Sequence, residues 1–189
     1  CRGAIEAGAT EIWIRDGHDS AKNIIGSELP ENTRLIRGWS RHPYMMMQEL
    51  DSSFTAAIMI GYHARGGSDG NPLAHTMSSR VALLTINARP ASEFMINYYT
   101  ALYEKVPVVF VSGDKELCDH ATDIVPAIGS LNVRTVNLAM MLKMMFGRAC
   151  SAYLPVIGST RRRSTIVGMK IMELVPFRMA RIFLLASGS

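Results

Sequence analysis

Three histidines of this chain lie in loops of small and polar residues: His18 in DGHDS, His63 in GYHARGGSDG and His75 in NPLAHTMSS. A neutral imidazole offers a nitrogen lone pair suited to zinc, and a nearby carboxylate can complete the charge balance. His42 and His120 lack that setting. One loop histidine alone is by default a solvated or hydrogen-bonded residue. Two of these follow short apolar runs, TEIWIR before His18 and AAIMI before His63, and that shared position raises the metal reading. Sequence spacing adds nothing, because no HExxH places two ligands on one helix face.

Glu93, in RPASEF, has two readings. A glutamate at a helix start is favoured by the macrodipole, which is the plain account. The alternative is a carboxylate ligand held by the helix's first turn. Met45-Met46-Met47 reads as packing rather than a metal-binding methionine box. Cys118 and His120 invite a thiol–imidazole pair, yet positions i and i+2 of a helix do not face each other. Ser112-Gly113-Asp114 fits a catalytic loop and a simple strand-closing turn equally well. There is no GxSxG elbow, P-loop or GxGxxG.

The elements that would position these residues follow from the hydrophobic pattern. Strands are expected at 10–15, 33–36, 56–60, 81–86 and 107–111. Helices are expected to end at Gly8 and to cover 44–50, 92–103 with Ser92 as N-cap, and 115–122. Short continuously apolar strands interleaved with helices indicate an α/β fold: a mostly parallel sheet with helices on both faces. In such sheets chemistry collects in loops at the carboxyl ends of strands. His18, His63 and Asp114 all follow expected strands, so that rim is the expected active-site position.

At 189 residues, 48% of them hydrophobic, the chain suits a globular core rather than disorder. Its net charge of +4 is unevenly spread. Residues 1–137 hold 12 Lys/Arg against 15 Asp/Glu, whereas residues 138–189 hold 8 against Glu173 alone. The basic end includes Arg161-Arg162-Arg163 and seven of the 13 methionines. It lacks the interleaved aromatics and signatures of RNA binding, so no nucleic-acid partner is expected. No apolar run reaches the ~20 residues of a bilayer span. The run Phe183-Leu184-Leu185 is too short for one, and an amphipathic surface helix is one reading of it. Cys1, Cys118 and Cys150 form no disulfide framework or zinc knuckle, and the opening residues do not read as a signal peptide; a reducing, cytoplasmic setting is expected.

Taken in order, DGHDS, IGYHARGG, LAHTMSS, INARPASE and VPVVFVSGD resemble the zinc D-aminopeptidase family of the bacterial dipeptide-transport operon. The match runs from about residue 1 to 137, and five motifs in one order make it specific. The resemblance implies a binuclear zinc peptidase that removes N-terminal D-amino acids from short peptides and assembles as a ring-like homo-oligomer. It implies that His18, His63 and Glu93 are zinc ligands and that His75 is the active-site nucleophile or general base. It gives Asp114 a place in a motif but no role.

The family's opening strand ends in Asp-x-Glu-Gly, which supplies further ligands and has no counterpart here. The chain, starting at Cys1, is therefore expected to begin inside a longer protein and to retain three of the implied ligands. Residues 1–137 are expected to form a partial D-aminopeptidase-like domain. Residues 138–189 are expected to be an atypical basic tail whose sequence departs from the family, as a frame shift would produce. The alternatives to an enzyme of this kind are a non-catalytic peptide- or metal-binding module on the same fold, and a metal-free serine or cysteine hydrolase.

Overall fold

The computed structural model of the protein describes residues 1–132 and 180–186. Helix α1 spans Arg2–Glu6 and leads into strand β1, Ala9–Asp16. Strands β2, Thr33–Ile36, and β3, Ala56–Tyr62, follow. A two-residue hairpin, β4 at Thr85–Ile86 and β5 at Arg89–Pro90, precedes helix α2, Glu93–Tyr103. Strand β6, Val108–Gly113, helix α3, Lys115–Ile124, and strands β7, Gly129–Asn132, and β8, Ala180–Ala186, complete the described chain.

Six strands form one sheet in the order β2-β1-β8-β3-β6-β7, with every pairing parallel. Side chains alternate across it, as strand geometry requires. Ile12 and Ile14 of β1, Ile58 of β3 and Ile182 of β8 pack on one face with Ala4 of α1. Met59, Val111, Phe183 and Leu185 pack on the other with Phe94 of α2 and Leu117 of α3. Helices thus cover both faces, as the apolar strands demand. The helix starts are capped as short polar side chains permit: Ser92 Oγ accepts from Met95 N, and Asp114 Oδ1 from Leu117 N at 2.9 Å.

Strands expected at 10–15, 33–36, 56–60 and 107–111 are present, with ends that differ by at most two residues. Three expectations give way. Residues 81–86 form no third core strand; only Thr85–Ile86 pair, and Leu83 is exposed. An apolar run without a free ladder beside it stays a loop. Residues 44–50 make a single turn of 3-10 helix, Met45–Met47, whose Met46 and Met47 are buried in the core. The Phe183–Leu185 run is not a surface helix. It belongs to β8, which lies between β1 and β3 with Phe183 and Leu185 fully buried. Arg161–Arg163 and Cys150 lie outside the described residues.

Candidate metal centre

His63 directly follows β3, and the strand's end is shaped to present it. Gly61 takes a positive φ of 76°, and the β3–β6 register shifts between Met59 and Tyr62. Such a bulge re-aims the residues beyond it. Tyr62 then turns into the core, where its hydroxyl accepts from Asn97 Nδ2 of α2 at 2.7 Å. Burial drives the Tyr62 phenol well above its ordinary pKa, so it stays neutral. His63 is buried, with Nδ1 3.0 Å from Ala64 O.

His75 stands in the loop between β3 and β4, its Nδ1 2.8 Å from Leu73 O. Both rings therefore rest Nδ1 on a backbone carbonyl. With the proton there, each Nε2 keeps its lone pair, the arrangement that orients metal-binding histidines. The two rings lie 4.2 Å apart, tilted by 32°. Glu93, the first residue of α2, is buried, and its Oε1 lies 3.7 Å from His75 Nε2. Oε1 also accepts from Met77 N at 2.8 Å.

His63, His75 and Glu93 each offer a ligand atom within 4.8 Å of the others. Two imidazole nitrogens and one carboxylate are a donor set that zinc accepts, with positions left open for water or substrate. A small contraction would bring these atoms to one cation, so the residues fit a metal. The family resemblance implies His18 as a ligand and His75 as the active-site histidine; the described geometry brings His75 beside His63 and Glu93. His18 is not a member of that group. It sits half-buried at the same rim, in a loop tied to Asp16, whose Oδ2 accepts from Ile24 N at 2.8 Å. Trp39 Nε1 donates to Asp19 O at 2.7 Å, and the buried Arg15 guanidinium lies 4.7 Å over the Trp39 ring, bracing that loop further.

Two residues that brace the site carried no role in the sequence. Thr76 is fully buried; its hydroxyl accepts from Gly66 N at 3.0 Å and donates to Ala91 O at 2.9 Å. Asp114 caps α3 and also accepts from Ala64 N at 2.7 Å, next to His63. Both lie inside quoted motifs, LAHTM and VSGD, but a single hydroxyl or carboxylate leaves no periodic trace.

Other candidates are committed elsewhere. Ser112 Oγ accepts from Gly61 N at 3.1 Å and is buried, which removes it as a nucleophile. Burial pushes the Cys118 thiol up to about 11, leaving it neutral and unreactive at neutral pH. His120, held below its ordinary pKa by burial and by Arg65, lies instead along a cavity of about 390 Å³ with Arg65, Arg89 and Met95. Cys1 and Cys118 form no disulfide.

Comparison with known proteins places the chain's sequence and fold. The chain is 34% identical over 131 residues to a D-aminopeptidase of Bacillus subtilis (strain 168), covering 69% of this chain and 47% of that one. It thus spans about half the length of this curated relative. Its fold is similar to that of the solved Zn-dependent D-aminopeptidase DppA from Bacillus subtilis, described as a self-compartmentalizing protease. There the TM-score is 0.69 at 28% identity, over 79% of this chain and 57% of that one. The family model for D-aminopeptidases, Peptidase_M55, matches residues 1–153, which take in His18, His63, His75, Glu93 and Asp114, and this chain belongs to that family.

Proposed function

We propose that the protein acts as a metal-dependent aminopeptidase on short peptides with an N-terminal D-residue, using zinc held at the rim of the sheet. The observation that carries this reading is the convergence of His63, His75 and Glu93 within 4.8 Å at the carboxyl end of β3 and the start of α2. His63 and Glu93, both buried, are the first ligands, and His18 is a further one for a second ion. Bound zinc supplies Lewis acidity at the scissile carbonyl and makes water a stronger acid.

The chain's own residues do the rest. His75 is about one-third exposed at its side chain, so substrate can reach it. With Nδ1 anchored on Leu73 O, its Nε2 takes a proton from the attacking group and returns it to the departing amine. Glu93, fixed by Met77 N, places its Oε1 3.7 Å from that Nε2 and keeps the ring beside the metal ligands. The similar DppA is described as self-compartmentalizing, which supports self-assembly here. The exposed Leu102 and Tyr103 of α2, with Tyr99 beside them, support a homo-oligomer. Free thiols support a cytoplasmic setting. Among the described residues no helix is long and apolar enough to cross a membrane.

The test is zinc content together with release of D-alanine from D-Ala-D-Ala, with L-Ala-L-Ala as control. Zinc uptake, D-selective release and loss of both after chelation are expected. Release that survives chelation would remove the metal from the reaction. Zinc uptake without release would make the protein a binding module on this fold.

A further inference from the structure

We propose that Thr76 is the positioning residue of the metal centre, one hydroxyl that sets the spacing of all three donor-bearing segments. The inference rests on the proposed reading of His63 and Glu93 as metal ligands with His75 beside them. Those residues come from three separate stretches: the loop after β3, the long loop before β4, and the N-terminus of α2. Among the described residues no strand ladder joins the three. Thr76 does so. It is covalently next to His75, accepts from Gly66 N, three residues past His63, and donates to Ala91 O, two residues before Glu93.

The physics favours a strict geometric role. Thr76 is 0% exposed, so water does not compete for its hydroxyl. A hydroxyl has one proton to donate, and here it goes to Ala91 O while a lone pair receives Gly66 N–H. Both backbone groups would otherwise be buried and unpaired. Gly66 is itself tightly seated, since a Cβ there would approach Val81 O at 2.9 Å. The adjoining Met77 adopts φ +64°, a conformation disfavoured for a side chain larger than glycine, and its N–H, whose direction the Thr76 peptide sets, donates to Glu93 Oε1. A residue held in that region needs its surroundings to over-determine it. The two Thr76 bonds, immediately upstream, provide that constraint. Thr76 touches no donor atom in these contacts and acts through the segments that carry the donors.

The test compares Thr76→Val, which keeps the shape and removes both bonds, with Thr76→Ser, which keeps the hydroxyl. Zinc affinity is read by competition with a chelating dye, and the coordination geometry by the visible spectrum of the Co²⁺-loaded protein. Thr76→Val is expected to weaken zinc binding roughly 10–100-fold, as loss of a residue that orients ligands does, and to alter the cobalt spectrum. Thr76→Ser is expected to restore both.

Amide hydrogen exchange on the metal-free protein is the independent arm. Gly66 N–H should exchange roughly tenfold faster in Thr76→Val, as loss of one buried hydrogen bond implies, with β3 and β6 still protected. Unchanged zinc affinity in Thr76→Val would overturn the proposal. So would a Thr76→Ser protein as impaired as Thr76→Val, or protection lost throughout β3, which would mark a general packing role. If the unaltered protein takes up no zinc, the reading of the group fails, and exchange alone decides Thr76. Fast Gly66 exchange restored by serine then sustains the tie, and equal protection in all three proteins refutes it.

Discussion

Met77 donates its backbone N–H to Glu93 Oε1 at 2.8 Å, so the loop that carries His75 also orients the carboxylate at the start of α2. A buried carboxylate must have such partners, and here a backbone donor leaves the second oxygen for other use. Glu93→Gln keeps an acceptor for Met77 N and removes the charge. It is expected to retain the fold and to lose most zinc binding, as measured by metal analysis and thermal melting. Glu93→Ala strands the Met77 N–H as well and should cost about 1–3 kcal/mol of stability in urea titration. Equal zinc content in the glutamine variant and the unaltered protein would take Glu93 out of the ligand set.

Gly113 sits where β6 ends against β3, and a Cβ there would collide with Tyr62 O and the Leu117 side chain. The first of these is backbone of a paired strand and has nowhere to go. Gly113→Ala is therefore expected to destabilise by about 1–3 kcal/mol, the range of overpacking in a dense core. Equilibrium urea unfolding reads this directly. An unchanged midpoint would mean that β3 and β6 are not packed as closely as described.

Phe183 of β8 is fully buried between the neighbouring strands, with its ring 5.3 Å from that of Phe54 in edge-to-face contact. Ile182, Phe183 and Leu185 of β8 are thus core and not appendage. Phe183→Ala is expected to cost about 3–5 kcal/mol. The exposed Leu83→Ala serves as the control and should change stability by less than ~0.5 kcal/mol. Comparable unfolding midpoints for the two variants would place β8 outside the cooperative core.

Cys118 provides a pH signature. Burial raises its thiol to about 11 from an ordinary value of 9.0. In the unfolded chain the thiol ionises first, so above pH ~9 the unfolded state binds fewer protons and stability falls with rising pH. The contribution is intact below about 9 and declines as the pH passes from there to about 11. Cys118→Ala should flatten that alkaline decline in unfolding midpoints measured from pH 8 to 10.5. Peptide mapping after alkylation at pH 8 should find Cys118 unmodified in the folded protein.

Much of the fold was legible in the residues themselves. TEIWIR, AAIMI and PVVFV are short, apolar and bounded by turn residues, so they specify strands wherever they pair. Ser92 fixes the start of α2 because a cap and its helix are neighbours in the chain. The placement of His63 at a strand's end followed from the same local pattern. VALLTI looked equally strand-like, yet only its last two residues pair, because strand formation needs a partner ladder that local pattern does not report.

What only the tertiary structure decided is which distant segments meet. Sequence put β8 in a tail of unusual composition; pairing set it between β1 and β3, where burial on both faces suits its unbroken apolar run. Sequence named His18, His63, His75 and Glu93. Folding drew three of them within 4.8 Å and left His18 outside that group. The residues that fix this arrangement, Thr76 and Asp114, each act through two hydrogen bonds to backbone of other segments. Such bonds depend on three-dimensional proximity, and no period or composition of the sequence encodes them.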